Sequence, residues 1–158
     1  MIDRKGNAPA DSLFLIIILF VFVIVALFAN TMMSELNTEV QADAAMTTEA
    51  KAEMSDRAAN MPTTFDYAVA MAFGALWLGA ILASLLIDAH PAFLMLSVIV
   101  VLLLLFVPPN LANMYETTII ELGTASSFPL STFIFRHLME YYIAVVFTVM
   151  LVLYGKSK

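Results

Sequence analysis

The stretch LFLIIILFVFVIVALFA, residues 13–29, decides the fold class of this chain. It contains no charged residue, proline or amide, and as a helix it would be about 25 Å long, which covers most of the hydrocarbon core of a bilayer. Three further apolar runs follow at residues 67–87, 92–107 and 138–154. The pattern predicts an all-α polytopic membrane protein with four transmembrane helices, of which the second and third form a hairpin.

The composition supports a membrane environment and excludes several classes of function. Of the 158 residues, 62% are hydrophobic and only 13% are charged, which is more apolar surface than a water-soluble domain of this size can bury. The net charge of −6 argues against nucleic-acid binding and against a peripheral anchor that holds anionic lipid through lysine. Cysteine is absent, which excludes disulfides, thiolate metal sites and thiol nucleophiles.

An acidic segment follows the first apolar run and divides the chain into three regions. The regions are the N-terminal tail with transmembrane helix 1 (1–30), an acidic extramembrane helical segment (31–65) and a three-span region (66–158). Within the acidic segment, apolar residues recur at helical spacing, at Met33, Leu36, Val40 and Ala44. We expect helix 1 to continue into water or to re-form there as a second helix, and Asn60-Met61-Pro62 to end it; a disordered acidic loop is the alternative.

The second apolar run differs from the first in its small residues. Ala75, Gly79 and Ala83 lie four residues apart and form a small-xxx-small ridge, which allows the backbone of another helix to approach closely. We therefore expect a helix-packing face there, with the second helix as the packing centre. The sequence Asp88-Ala89-His90-Pro91 then leaves room only for a tight turn, with Asp88, His90 and Pro91 forming the turn of the hairpin.

Basic residues predict the orientation of the four spans. Arg4 and Lys5 precede the first span, and Lys156 and Lys158 follow the last. Four crossings place both ends on one side, and the positive-inside rule makes that side cytoplasmic, or interior to a particle. The acidic segment and residues 110–137 then face the opposite side.

Ionisable residues near the spans are the first candidates for chemistry, because charge in a bilayer is costly. They are Asp66, Asp88, His90, Arg136, His137 and Glu140, and each falls within about one turn of a predicted helix end, where water or lipid headgroups can solvate it. Asp88 and His90 favour a turn over a proton relay. Arg136 and Glu140 are spaced for an interfacial ion pair along one helix.

No motif predicts an enzyme, a cofactor, a metal or a small-molecule substrate. The eleven methionines suggest Cu(I) ligation, but they form no dense Met-x-x-Met cluster, so flexible packing is the favoured interpretation. Neither a phosphate-binding glycine loop nor an HExxH motif is present. A role without catalysis is therefore expected.

Two stretches carry a resemblance to a class of viral proteins. They are ILASLLIDAHPAFLMLSVIVVLLLLFVPPNLANMYE (81–116) and FPLSTFIFRHLMEYYIAVVFTVMLVLYGK (128–156). Their pattern resembles small multi-span membrane structural proteins of tailless bacterial viruses, either membrane-containing or filamentous. The resemblance implies an oligomeric subunit in the virion membrane or the host inner membrane, in contact with the lipid bilayer, with copies of itself and with coat or cap proteins.

The main alternative is a holin-like or small pore-forming membrane protein. A water-filled pore requires polar side chains at membrane depth, and the first and third apolar runs offer only Ser97. A lesion made by massed assembly meets that objection less severely, so this alternative stays open.

Overall fold

The computed structural model describes residues 8–86, 98–99, 101–102 and 105–156, and all regular structure in this part of the chain is helical. The α-helices and one 3₁₀ turn are α1 (Ala8–Ala42), α2 (Thr48–Leu86), α3 (Val107–Glu121), the 3₁₀ turn Ala125–Ser127, α4 (Pro129–Arg136) and α5 (Leu138–Lys156). The all-α prediction is confirmed.

Three of these helices are long and apolar enough to cross a membrane. They contain the segments Leu13–Ala42, Thr48–Leu86 and Leu138–Gly155, whose most apolar windows have mean hydropathies of 3.2, 2.2 and 1.8. Between 22% and 39% of each window is buried inside the protein, so most of these apolar residues face outward, as expected for helices in lipid. The predicted hairpin turn with Asp88, His90 and Pro91, and much of the predicted span 92–107, lie outside the described residues.

Helices α1 and α2 form a long antiparallel hairpin whose tip is acidic. Thr47 precedes α2 and caps it, since its Oγ1 accepts a hydrogen bond from the Ala50 amide at 3.2 Å. The two arms are joined near the tip because Lys51 Nζ donates to the Gln41 carbonyl at 2.9 Å, and Gln41 Nε2 donates to the Lys51 carbonyl at 2.8 Å. The acidic segment is thus helical, as expected, and consists of one arm from each helix.

The expectation that Asn60-Met61-Pro62 ends a helix is wrong, because α2 continues through Pro62 without interruption. A proline inside a helix removes one backbone hydrogen bond and costs about 3 kcal/mol. Contacts between α2 and α1 on both sides of Pro62 offset this cost, since Lys51 binds Gln41 before it and Phe65 contacts Phe22 after it, at a ring-centroid distance of 5.9 Å. Tertiary packing therefore decides this helix boundary.

Helices α4 and α5 run parallel to α2. Later residues of α2 contact later residues of α4 and α5. Asp66 binds the start of α4, Phe73 contacts Phe135 in α4, and Ala80 packs with Val145 in α5. Because α1 runs antiparallel to α2, the N-terminal end of α1 and the C-terminal end of α5 lie at the same end of the bundle. The C-terminal end of α2 lies at this end as well, whereas α4 begins at the level of Asp66, midway along α2.

The core is centred on the aromatic ring of Phe135, which is fully buried. This ring stacks on Tyr115 of α3 at a ring-centroid distance of 4.5 Å. It also meets the rings of Phe20 in α1 and Phe73 in α2 edge-on, at ring-centroid distances of 5.8 and 5.6 Å. Four helices thus contribute to one cluster. Val101 and Leu105, which precede α3 in the chain, also pack against this core.

Candidate functional site

The most unusual polar group in the described structure is the carboxylate of Asp66, midway along α2. Asp66 is only 3% exposed, which is unusual for a carboxylate. Its Oδ2 accepts a hydrogen bond from the Leu130 amide at 2.8 Å, and its Oδ1 accepts one from the Ser131 amide at 2.6 Å. Both amides belong to the first turn of α4, so Asp66 caps a helix that lies 64 residues further along the chain.

Every backbone donor at the start of α4 is accounted for by this arrangement. Pro129 has no amide hydrogen, and Thr132 donates to the Phe128 carbonyl at 3.0 Å. The residue at the N-cap position is Phe128, whose side chain supplies no acceptor. Without Asp66, the amide of the fully buried Ser131 and the partly buried amide of Leu130 would lose their acceptors. The carboxylate therefore replaces the local cap that the sequence of α4 lacks.

The electrostatic environment of Asp66 is provided by backbone dipoles. The ion pairs in the described chain are Arg57–Glu53 and Arg136–Glu116, so no basic side chain lies within 4.0 Å of the Asp66 carboxylate. The N-terminus of a helix carries a partial positive charge, and its amides form short, charge-assisted hydrogen bonds to anions. Helix α4 thus compensates a charge that would be costly if it were isolated.

A small polar cluster surrounds this carboxylate. The Tyr115 hydroxyl lies 3.2 Å from Thr132 Oγ1, which donates to the Phe128 carbonyl at 2.7 Å. Burial raises the pKa of Tyr115 to about 12, and the negative charge of Asp66 contributes to the rise. Ser131 is fully buried, and its Oγ has no hydrogen-bond partner in the structure. The Ser131 amide thus binds Asp66, while the Ser131 hydroxyl beside it has no hydrogen-bond partner.

Asp66 lies below the outer edge of the apolar surface. Phe65 is level with Phe22 on α1, and exposed apolar side chains continue along α1 to Val25 and Phe28, at 60% and 51% exposure. The six residue steps from Phe22 to Phe28 correspond to about 9 Å of helix, so Asp66 lies about that distance inside the outer end of the apolar surface. The expectation that Asp66 lies near a helix end in water is wrong, because α2 begins 18 residues earlier, at Thr48.

The predicted helix-packing face is not used inside the described structure. Ala75, Gly79 and Ala83 are exposed, and a Cβ built on Gly79 meets nothing within 4 Å. The face of α2 that packs inside the protein is a different one, formed by Asp66, Val69, Phe73, Leu76, Ala80 and Ser84. The role of the small-residue face in association with another molecule stays a prediction.

The predicted ion pair between Arg136 and Glu140 is replaced by a different one. Arg136 instead pairs with Glu116 of α3 at 3.5 Å. The reason is a break at His137 between α4 and α5, where the backbone leaves helical geometry and the one-turn spacing of residues 136 and 140 no longer applies. The His137 ring remains near this break, with Nδ1 2.9 Å from the Phe133 carbonyl.

A groove of about 520 Å³ lies on the surface near the base of the acidic hairpin. It is lined by Ala29, Met32, Met33, Glu35, Leu36, Glu39 and Met61. Across the described ranges, no group of three or more histidine, aspartate or glutamate side chains is arranged to hold a metal ion. Comparisons with protein-family models, curated proteins and solved structures give no match for this chain.

Proposed function

We propose that this chain is a structural membrane protein of a virus particle, which assembles as an oligomer together with coat or cap proteins. The observation that carries the proposal is the outward position of Ala75, Gly79 and Ala83 on a helix long enough to span a bilayer. Small residues facing lipid leave the helix backbone open to close approach by a second helix. The viral assignment itself rests on the resemblance of residues 81–116 and 128–156.

The proposal includes four spans with both termini on the cytoplasmic or interior side. Parallel packing of α2 and α5 supports it, because the chain must cross back between them. Residues 92–107 are the apolar run available for this crossing, and Val101 and Leu105 within it contact the core. The acidic hairpin tip then projects on the opposite side, where coat or cap proteins would meet it.

Chemical crosslinking of the detergent-solubilised chain, with a reagent that does not require cysteine, tests whether it forms an oligomer. Gly79→Leu should reduce the crosslinked ladder, because the larger side chain prevents close approach of a second helix. Gly74→Leu is the matched control. Gly74 is also exposed on α2 with open space around it, but it lies on a different face of the helix from Ala75, Gly79 and Ala83. An unchanged ladder in Gly79→Leu would contradict the assignment of this face.

The viral role is tested by following the chain through particle purification. A structural subunit should sediment with intact, infectious particles and leave the protein shell when the lipid is extracted. If the chain stays in host membranes and is absent from particles, the viral proposal fails.

A holin-like pore is the second candidate, and Asp66 is the observation that favours it. This carboxylate supplies a polar group at depth, but at 3% exposure it would line a pore only if α4 moved away. Dye-loaded liposomes containing the purified chain distinguish the two roles. Leakage that increases with the amount of protein would support the pore, whereas tight liposomes would support a structural subunit.

A further inference from the structure

The surface groove at the base of the acidic hairpin has the form of a helix-binding site. Its α1 side extends from Ala29 to Glu39, about 15 Å, which matches nearly three turns of an α-helix. Its apolar surface is accessible, with Met32 69% and Leu36 49% exposed. Methionine side chains adapt their shape to a partner, and this property suits surfaces that receive amphipathic helices.

The rim of the groove carries uncompensated negative charge. Glu35 and Glu39 are exposed, lie one helical turn apart and form no ion pair in the part of the chain that the structure describes. Residues 31–60 contain six acidic and two basic residues, which gives a net charge of −4. Both basic residues are engaged, Arg57 with Glu53 and Lys51 with the Gln41 carbonyl.

We infer that this groove binds a basic amphipathic helix of a partner protein. Apolar side chains of the partner would contact Met32 and Leu36, and two Lys or Arg side chains one turn apart would pair with Glu35 and Glu39. Charge complementarity of this kind selects the partner and its register. The inference rests on the proposed function only for the origin of the partner, which would be a coat or cap protein.

A lipid headgroup fits the groove less well than a helix. The groove starts at Ala29, the last residue of the apolar run, and extends about 15 Å outward along α1. The headgroup layer is only about 5 to 8 Å thick on each side of a bilayer. The outer part of the groove, with Leu36 and Glu39, therefore lies beyond the lipid and faces water.

Peptide binding to the full-length chain in nanodiscs of zwitterionic lipid tests the inference. The probe is a fluorescent 18-residue helical peptide with leucine on one face and lysine pairs one turn apart, and anisotropy gives its Kd. Glu35→Gln combined with Glu39→Gln should weaken binding at least threefold in 50 mM salt, and the difference should shrink in 500 mM salt. Glu49→Gln combined with Asp56→Asn is the control, because it removes the same charge from exposed positions outside the groove.

Three outcomes would overturn the inference. Equal weakening by both double variants would indicate a diffuse acidic field without a groove, and equal binding of a peptide with glutamate in place of lysine would remove charge recognition. Equal binding to empty nanodiscs would assign the peptide to lipid. Each variant is also crosslinked: intact oligomers without groove-specific peptide binding would refute this inference alone, whereas loss of the Gly79-dependent ladder concerns the proposed function.

Discussion

Replacement of Asp66 should destabilise the bundle more than any other single polar substitution in α2. In Asp66→Leu, the buried amide of Ser131 and the partly buried amide of Leu130 both lose their acceptors. An unsatisfied buried donor costs about 1–3 kcal/mol and a partly exposed one costs less, so the expected loss is about 2–4 kcal/mol. Asp66→Asn keeps one acceptor oxygen, and about half of that loss is expected.

The assay is equilibrium unfolding in mild detergent micelles by added denaturing detergent, followed by tryptophan fluorescence. Trp77 is the only tryptophan, and its ring lies edge-on to that of Tyr141 in α5 at a ring-centroid distance of 6.1 Å. Its emission therefore reports separation of α2 from α5. Asp56→Asn is the control, because Asp56 is exposed on the same helix. Its unfolding midpoint should stay at the wild-type value.

The order of stability distinguishes this reasoning from the opposite one. Buried charges are costly, and replacing one with a well-packed apolar residue is neutral or stabilising in some proteins. If Asp66→Leu were as stable as the wild type, desolvation of the carboxylate would outweigh its two hydrogen bonds, and Asp66 would not hold α4 in place. The expected order is wild type, then Asp66→Asn, then Asp66→Leu.

Three further predictions concern other parts of the bundle. Because the pKa of Tyr115 is raised to about 12 in the folded chain, the unfolded chain ionises first, and stability should fall by about 2 kcal/mol between pH 10 and 12; ultraviolet absorbance titration and pH-dependent unfolding of Tyr115→Phe check this. Pro62→Ala should raise the unfolding free energy by up to about 3 kcal/mol by restoring a helical hydrogen bond, as measured by the same unfolding assay. A double-mutant cycle should detect a coupling of less than about 1 kcal/mol between Arg136 and Glu116 and none between Arg136 and Glu140.

The helical class and the presence of helices long and apolar enough to span a membrane followed from the sequence, because they depend on long, uniform patterns. An uninterrupted apolar run such as 13–29 has few alternatives to a membrane helix. Local boundaries were harder to predict. Pro62 is a strong local signal for a helix end, but the neighbouring α1 makes continuation of α2 more favourable than a break. Such a contact between distant segments leaves no trace in local periodicity.

The candidate site was only partly visible in the sequence, because it joins residues that are far apart. Asp66 was recognised as an ionisable residue near a span, but its partner amides in α4 are 64 residues away. One signal was available: Pro129 begins a helix directly after Phe128, a residue that cannot cap it. A helix start without a local acceptor indicates that the acceptor comes from elsewhere in the fold.

The need for a remote acceptor also explains how one carboxylate orders the whole core. The first amides of α4 lie against α2, where water does not replace a missing acceptor for the buried Ser131, so α4 is stable only where an acceptor meets it. Asp66 fixes that place on α2, and Phe135 near the other end of α4 then reaches Phe20, Phe73 and Tyr115. If this coupling holds, Asp66→Leu should disturb the aromatic packing at Phe135 as well as the start of α4, so both should be lost in a single cooperative transition.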